Sequence, residues 1–110
     1  MKVNIKPLSV NVCWQGKRFK TPKYKSYEKE LLLKLPNIKI DFKARLRLDI
    51  VFGYSNTLND IDNALKPFID VLQKRTGMND RMIYELNVKK EIVKKGDEFI
   101  KFNITELWIK

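Results

Sequence analysis

The side chains that could act together chemically lie in two short pieces, Asn59-Asp60-Ile-Asp62-Asn63-Ala-Leu-Lys66-Pro-Phe-Ile-Asp70 and Met78-Asn79-Asp80. Asp60 and Asp62 stand two apart, and in extended backbone that spacing points both carboxylates the same way. Two such anions 4 Å apart repel by about 1 kcal/mol even in bulk water, a penalty that a divalent cation removes. Asp80 can join them if the residues after it form a strand that runs alongside. Carboxylates holding Mg²⁺ suit phosphodiester hydrolysis, because the ion lowers the pKa of a bound water and shields the phosphate during in-line attack. Lys66, one turn after Asp62 and on the same helical face, is placed to stabilise charge on the phosphorane or the leaving oxygen. Taken singly, each residue also has a plain structural role. Asp60 or Asp62 can cap a helix, Lys66 can pair with Asp62 or Asp70, and Asp80 can serve a turn.

What the chain lacks narrows the chemistry further. It contains no histidine, which excludes a Ser-His-Asp triad, a Cys-His pair and a histidine general base. Cys13 is the single cysteine, so neither an internal disulfide nor a multi-cysteine zinc site can form. A catalytic metal must then take oxygen ligands, which points to Mg²⁺ with Mn²⁺ as a substitute. The lone thiol fits a reducing cytoplasm. The N-terminal residues do not read as a signal peptide, and no apolar run reaches membrane-spanning length, so no membrane partner is expected.

The elements that must position these groups can be read from periodicity. Residues 1–13 read as extended, with a second short apolar piece around Val10–Val12. Thr21-Pro22 opens a helix over about Lys23–Leu35, a hydroxyl cap followed by proline at the first helical position. Residues 44–52 alternate as a half-buried strand, with Leu46, Leu48, Ile50 and Phe52 on one face. A second helix starts close to Asp62, strained in its early turns by Pro67, and stops before Gly77. Two further strands, about Met82–Lys94 and Glu98–Ile109, read as a hairpin joined at Lys95-Gly96-Asp97. The order β-α-β-α-β-β predicts one α+β domain over residues 1–110, with two helices and a mixed or antiparallel sheet.

Charge is uneven along the chain. The formal net charge is +10 over 110 residues. Residues 1–39 hold ten Lys/Arg against Glu28 and Glu30, and the remainder is nearly balanced. A basic half beside a near-neutral half predicts a polyanion-binding face. Lys17, Arg18, Lys20, Lys23 and Lys25 crowd a loop and helix start, interleaved with Trp14, Phe19 and Tyr24. Lysines there would contact phosphates, and an aromatic would stack on an unpaired base.

Together these features resemble the RusA family of Holliday junction resolvases. Asp60-Ile-Asp62-Asn63-Ala-Leu-Lys66 is similar to the family's Asp-x-Asp-Asn-x-x-Lys block without a gap, and Asp70-Val-Leu72 to its helical Asp-x-Leu. Asn79-Asp80 stands where the family has an acidic pair, so the first acid of that pair is replaced. Pro7-Leu-Ser9-Val-Asn11 with Trp14, Tyr24 and Tyr27 looks like the family's opening. Glu85 and Lys90 fall where the following strand carries an acid and a lysine. The resemblance implies Asp60, Asp62 and Asp80 as metal ligands, Lys66 as the catalytic lysine and a four-way DNA junction as substrate. It also implies a homodimer, whose two-fold symmetry a junction can match. Leu31, Leu32, Leu33 and Leu35 cover more than one face of the first helix, either as that dimer surface or as part of one core.

Two other functions fit the same residues. A non-catalytic basic DNA-binding domain would use the acids as caps. An interaction protein would dock an acidic partner on its basic half and would not prefer branched over linear DNA.

Overall fold

The alternation of residues 44–52 requires a strand with one buried face, and that strand becomes the centre of the molecule. The computed structural model describes residues 1–16, 18–41 and 43–108. The elements are β1 (Lys2–Val3), β2 (Trp14–Gln15), β3 (Phe19–Lys20), α1 (Pro22–Lys34), β4 (Arg45–Tyr54), α2 (Leu65–Thr76), β5 (Ile83–Ile92) and β6 (Phe99–Leu107). Four strands form one mixed sheet in the order β1-β6-β4-β5, and β2 and β3 make a small separate ribbon. β4 runs parallel to β5 and antiparallel to β6, and β1 is antiparallel to β6. This is the expected α+β class.

Leu46, Leu48, Ile50, Phe52 and Tyr54 of β4 are buried, while Arg45 and Arg47 face solvent. The buried face meets Tyr24, Tyr27 and Leu31 of α1 and Phe68, Val71 and Leu72 of α2 in one core cluster. Phe68 packs edge-on to Phe52 and Phe102, with ring centroids 6.2 and 5.2 Å away. Of the three leucines on α1 and Leu35 just after it, Leu31 and Leu35 are buried and Leu32 packs against the core, which leaves Leu33 alone on the surface.

α1 begins as its sequence predicts. Thr21 caps it, its hydroxyl accepting from the Tyr24 N–H at 3.2 Å, with Pro22 at the first helical position. α2 corrects the expectation of a start close to Asp62. Residues 61–64 form turns, with the Asn63 N–H bonded to the Asp60 carbonyl and the Leu65 N–H to the Asp62 carbonyl. The helix proper starts at Leu65, which puts Pro67 third, where a backbone N–H has no intrahelical acceptor and proline brings no strain. Gly77, at φ 76°, closes the helix in the left-handed conformation. The apolar piece around Val10–Val12 is a 3₁₀ turn capped by Ser9 rather than extended chain.

The hairpin expected at Lys95-Gly96-Asp97 does not form between β5 and β6. A turn is there, closed by the Asp97 N–H on the Lys94 carbonyl at 2.9 Å, but β4 lies between the two strands. β5 ends beside Tyr54 and β6 begins beside Gly53, so both meet the same end of β4. Residues 93–98 span two inter-strand gaps of roughly 4.8 Å across that end, well within their reach. The crossing is pinned by the Val93 N–H on the Tyr54 carbonyl at 2.7 Å.

Gly53 sits where this crossing and β6 crowd β4, and a Cβ there would run into the Phe99 ring. Gly53→Ala is expected to cost about 1–3 kcal/mol of stability, read from the urea unfolding midpoint. An unchanged midpoint would mean that the ring moves aside freely.

Candidate functional site

The segment between β4 and α2 carries two of the predicted acids. Its position follows from four hydrogen bonds. The Asn63 carbonyl accepts from the Val10 N–H at 2.7 Å, and the Asn59 carbonyl accepts from Lys90 Nζ of β5 at 2.8 Å. Asn56 Oδ1 accepts from the Leu58 N–H and from Asn59 Nδ2, which folds the loop onto itself. Asp60 and Asp62 are exposed on this anchored turn. Neither makes an ion pair or a side-chain hydrogen bond among the described residues, although the chain carries 23 Lys/Arg. Beneath them lies Tyr54, whose hydroxyl is pushed up to about 12 first by burial, with Asp62 adding to the rise.

Lys66 lies in the first turn of α2. Its helical partner is Asp70, at 3.0 Å, because Asp62 precedes the helix instead of sharing its face. The ammonium also reaches Asp80 Oδ2 at 3.4 Å. Contact with Asp70, and less with Asp80, holds its proton above the ordinary lysine value, against the opposing effect of burial. Asp80 opens a 3₁₀ turn between α2 and β5, and its N–H donates to Gln73 Oε1 at 3.2 Å. Asn79 caps the same turn, its Oδ1 accepting from the Arg81 N–H, so the replaced acid has a local structural task. Lys66 therefore joins Asp70 to Asp80, and Lys90 touches the loop that bears Asp60.

Among the described residues, no three acidic or cysteine side chains are gathered closely enough to hold a metal ion. Asp80 is drawn onto the Lys66 ammonium. The chemistry of the donors nevertheless fits a hard divalent cation: Asp60, Asp62 and Asp80 offer oxygen only, all are exposed, and two have no competing cation among the described residues. Asp70 and Lys90 were not among the site residues expected from sequence. Asp70 was visible as the i+4 neighbour of Lys66, and Asp70 and Lys90 both as positions matching the family pattern, though neither was assigned to the site.

The basic residues divide into two groups. Arg18 in the β2–β3 loop and Lys23 and Lys25 at the start of α1 are exposed, beside Phe19, which is 72% exposed, and Trp14. Trp14 stands edge-on to Tyr24 with centroids 5.7 Å apart. Lys20 is committed differently. It pairs with Glu28 at 2.8 Å and lies over the Tyr24 ring. Glu28 also binds Lys74, which ties β3, α1 and α2 together. Lys17 lies outside the described residues.

The chain matches the family described as Endodeoxyribonuclease RusA over residues 9–102. No individually curated protein matches it.

Burial raises the Glu28 carboxyl, but hydrogen bonds from Lys20 and Lys74 outweigh this and hold it below the usual range. Its stabilisation is therefore complete above the unfolded carboxylate pKa and is lost as pH falls through the lower folded value. Glu28→Gln is expected to lose about 1 kcal/mol at pH 7 and, in urea unfolding, to converge with the parent chain once the pH lies below that lowered folded value. An equal deficit at both pH values would assign the loss to packing.

Proposed function

This chain belongs to the RusA family of junction-resolving endodeoxyribonucleases, and we propose from that membership a metal-dependent cleavage mechanism carried by four side chains. Asp60, Asp62 and Asp80 would hold Mg²⁺, with Mn²⁺ able to replace it. The bound cation would supply an activated water and charge neutralisation at the phosphodiester. Supporting this reading are the two carboxylates on the anchored turn, without an ion-pair partner among the described residues, and the lysine that already stands as a cation against Asp80. Asp70 gives Lys66 a second partner, so the ammonium stays in place when Asp80 turns to the ion. From there Lys66 would donate hydrogen bonds to the phosphoryl oxygens as negative charge grows on them.

Arg18, Lys23 and Lys25, together with Lys17, would bind the phosphate backbone of a four-way junction. Lys20 would add its charge to that face while remaining on Glu28. The fit to two symmetric cuts calls for a homodimer. β5 supports one: its outer edge is unpaired among the described residues, and Tyr84, Leu86 and Ile92 are exposed along it. Such an edge invites pairing with another strand unless it is covered. Among the described residues, no helix is long and apolar enough to cross a membrane. A cytoplasmic DNA-repair or recombination role, in a phage or prophage setting, belongs to the same proposal.

The pair between Lys66 and Asp80 also favours a second reading, in which the basic face binds DNA and the acids are structural. A synthetic four-way junction separates the two. In Mg²⁺ the parent chain is expected to cut it, and Asp62→Asn to cut more than about a hundredfold more slowly with salt-sensitive binding retained. Equal binding by both proteins with no cleavage in Mg²⁺ or Mn²⁺ would establish the binding domain instead.

A further inference from the structure

Asp80 is tied to α2 twice, by bonds of different kinds. Its carboxylate meets the Lys66 ammonium at 3.4 Å, and its backbone N–H donates to Gln73 Oε1 at 3.2 Å. The other end of the same Gln73 amide donates from Nε2 to Asp70 Oδ1 at 3.4 Å. That Asp70 oxygen also holds the Lys66 ammonium, at 3.0 Å. Contacts therefore close a ring through Asp80, Lys66, Asp70 and Gln73.

The partners fix which way the Gln73 amide faces. A backbone N–H only donates, so it takes the side-chain carbonyl oxygen. An ionised carboxylate only accepts, so it takes the amino group. Asp70 and Gln73 stand three apart on α2, which puts them on one helical face. A neutral amide suits this place. A glutamate there would repel Asp70, and a lysine would compete with a metal ion for the carboxylates.

The two ties of Asp80 respond differently to a cation. Lys66 occupies a carboxylate oxygen, so it competes with an ion for that group. Gln73 holds the main chain and leaves both carboxylate oxygens to other partners. The Asn79 cap bonds the Arg81 N–H inside the same 3₁₀ turn and gives no link to α2. We propose that Gln73 is a positioning residue, which holds the Asp80 main chain on α2 and so leaves its carboxylate free to take a divalent cation. The role rests on the metal site proposed for Asp60, Asp62 and Asp80, and it adds to that site a side chain outside the pattern of acids and lysine.

Mn²⁺ binding in the absence of DNA, read from the electron paramagnetic resonance of the free ion, tests this role apart from cleavage. Gln73→Met keeps the length of the side chain and removes both bonds, and it is expected to weaken Mn²⁺ binding about tenfold. Gln73→Ala, which also suits a helix, is expected to show the same loss. Cutting of a four-way junction by either variant should fall about tenfold at low Mg²⁺ and recover to within about twofold at saturating Mg²⁺, because mass action refills the site. A deficit of the same size at every Mg²⁺ concentration would overturn the role and mark general damage. Equal Mn²⁺ binding by the parent and both variants, with cutting by the parent intact, would overturn the role of Gln73 alone. A parent chain that neither binds Mn²⁺ nor cuts the junction would remove the metal site, and this role with it.

Discussion

β4 is bonded along both edges and buried on one face, and the position of the other parts follows from that strand. A chain leaving its C-terminal end can return in parallel only by a crossover, and α2 is that crossover. The residues between β4 and α2 therefore lie beyond the C-terminal end of the strand, where ligands are commonly bound in sheets with parallel crossovers. Residues 93–98 cross the same end on their way to β6 and contribute Glu98 to an adjoining cavity. Sheet topology thus collects at one end of the molecule groups that are distant in sequence. They include Asp60 and Asp62 from the turn, Lys90 from β5 and Tyr54 from the strand itself.

Electrostatics sets the state of these groups. In a chain of net charge +10, exposed carboxylates would ordinarily attract lysines, as Glu28 attracts two and Asp70 one. Asp60 and Asp62 have no such partner among the described residues, on a turn whose own carbonyls take the nearby donors Val10 and Lys90. Two carboxylates two residues apart would repel if they were brought close, and a cation would relieve that repulsion. Lys66 stands between Asp70 and Asp80 and can stay with one when the other is drawn away.

Features set by local structure were readable from the residues themselves. β4 declared itself by alternation because one face is buried, and α1 by Thr21-Pro22 because capping is a local geometric requirement. Periodicity shows which face of a strand is buried and says nothing about which strand lies beside it. Lys95-Gly96-Asp97 looks the same in a hairpin as in a loop that steps across β4, so the β5–β6 pairing was misread. For α2, Pro67 was the better guide: a proline third in a helix is unstrained, and that moves the start from Asp62 to Leu65. At the site, the acid and lysine spacing was plain, as was the Asp70 partner four residues from Lys66. The capture of Lys20 by Glu28 and the contact of Lys66 with Asp80 depend on how elements pack. Sequence spacing carries no trace of either.

The central claim is that Asp60, Asp62 and Asp80 share one divalent-ion site. Paramagnetic broadening by Mn²⁺ of their side-chain carboxyl carbons, followed residue by residue in a titration, tests it most directly. The account predicts that all three signals broaden together with one apparent affinity. Broadening at Asp60 and Asp62 with an unaffected Asp80 would contradict it.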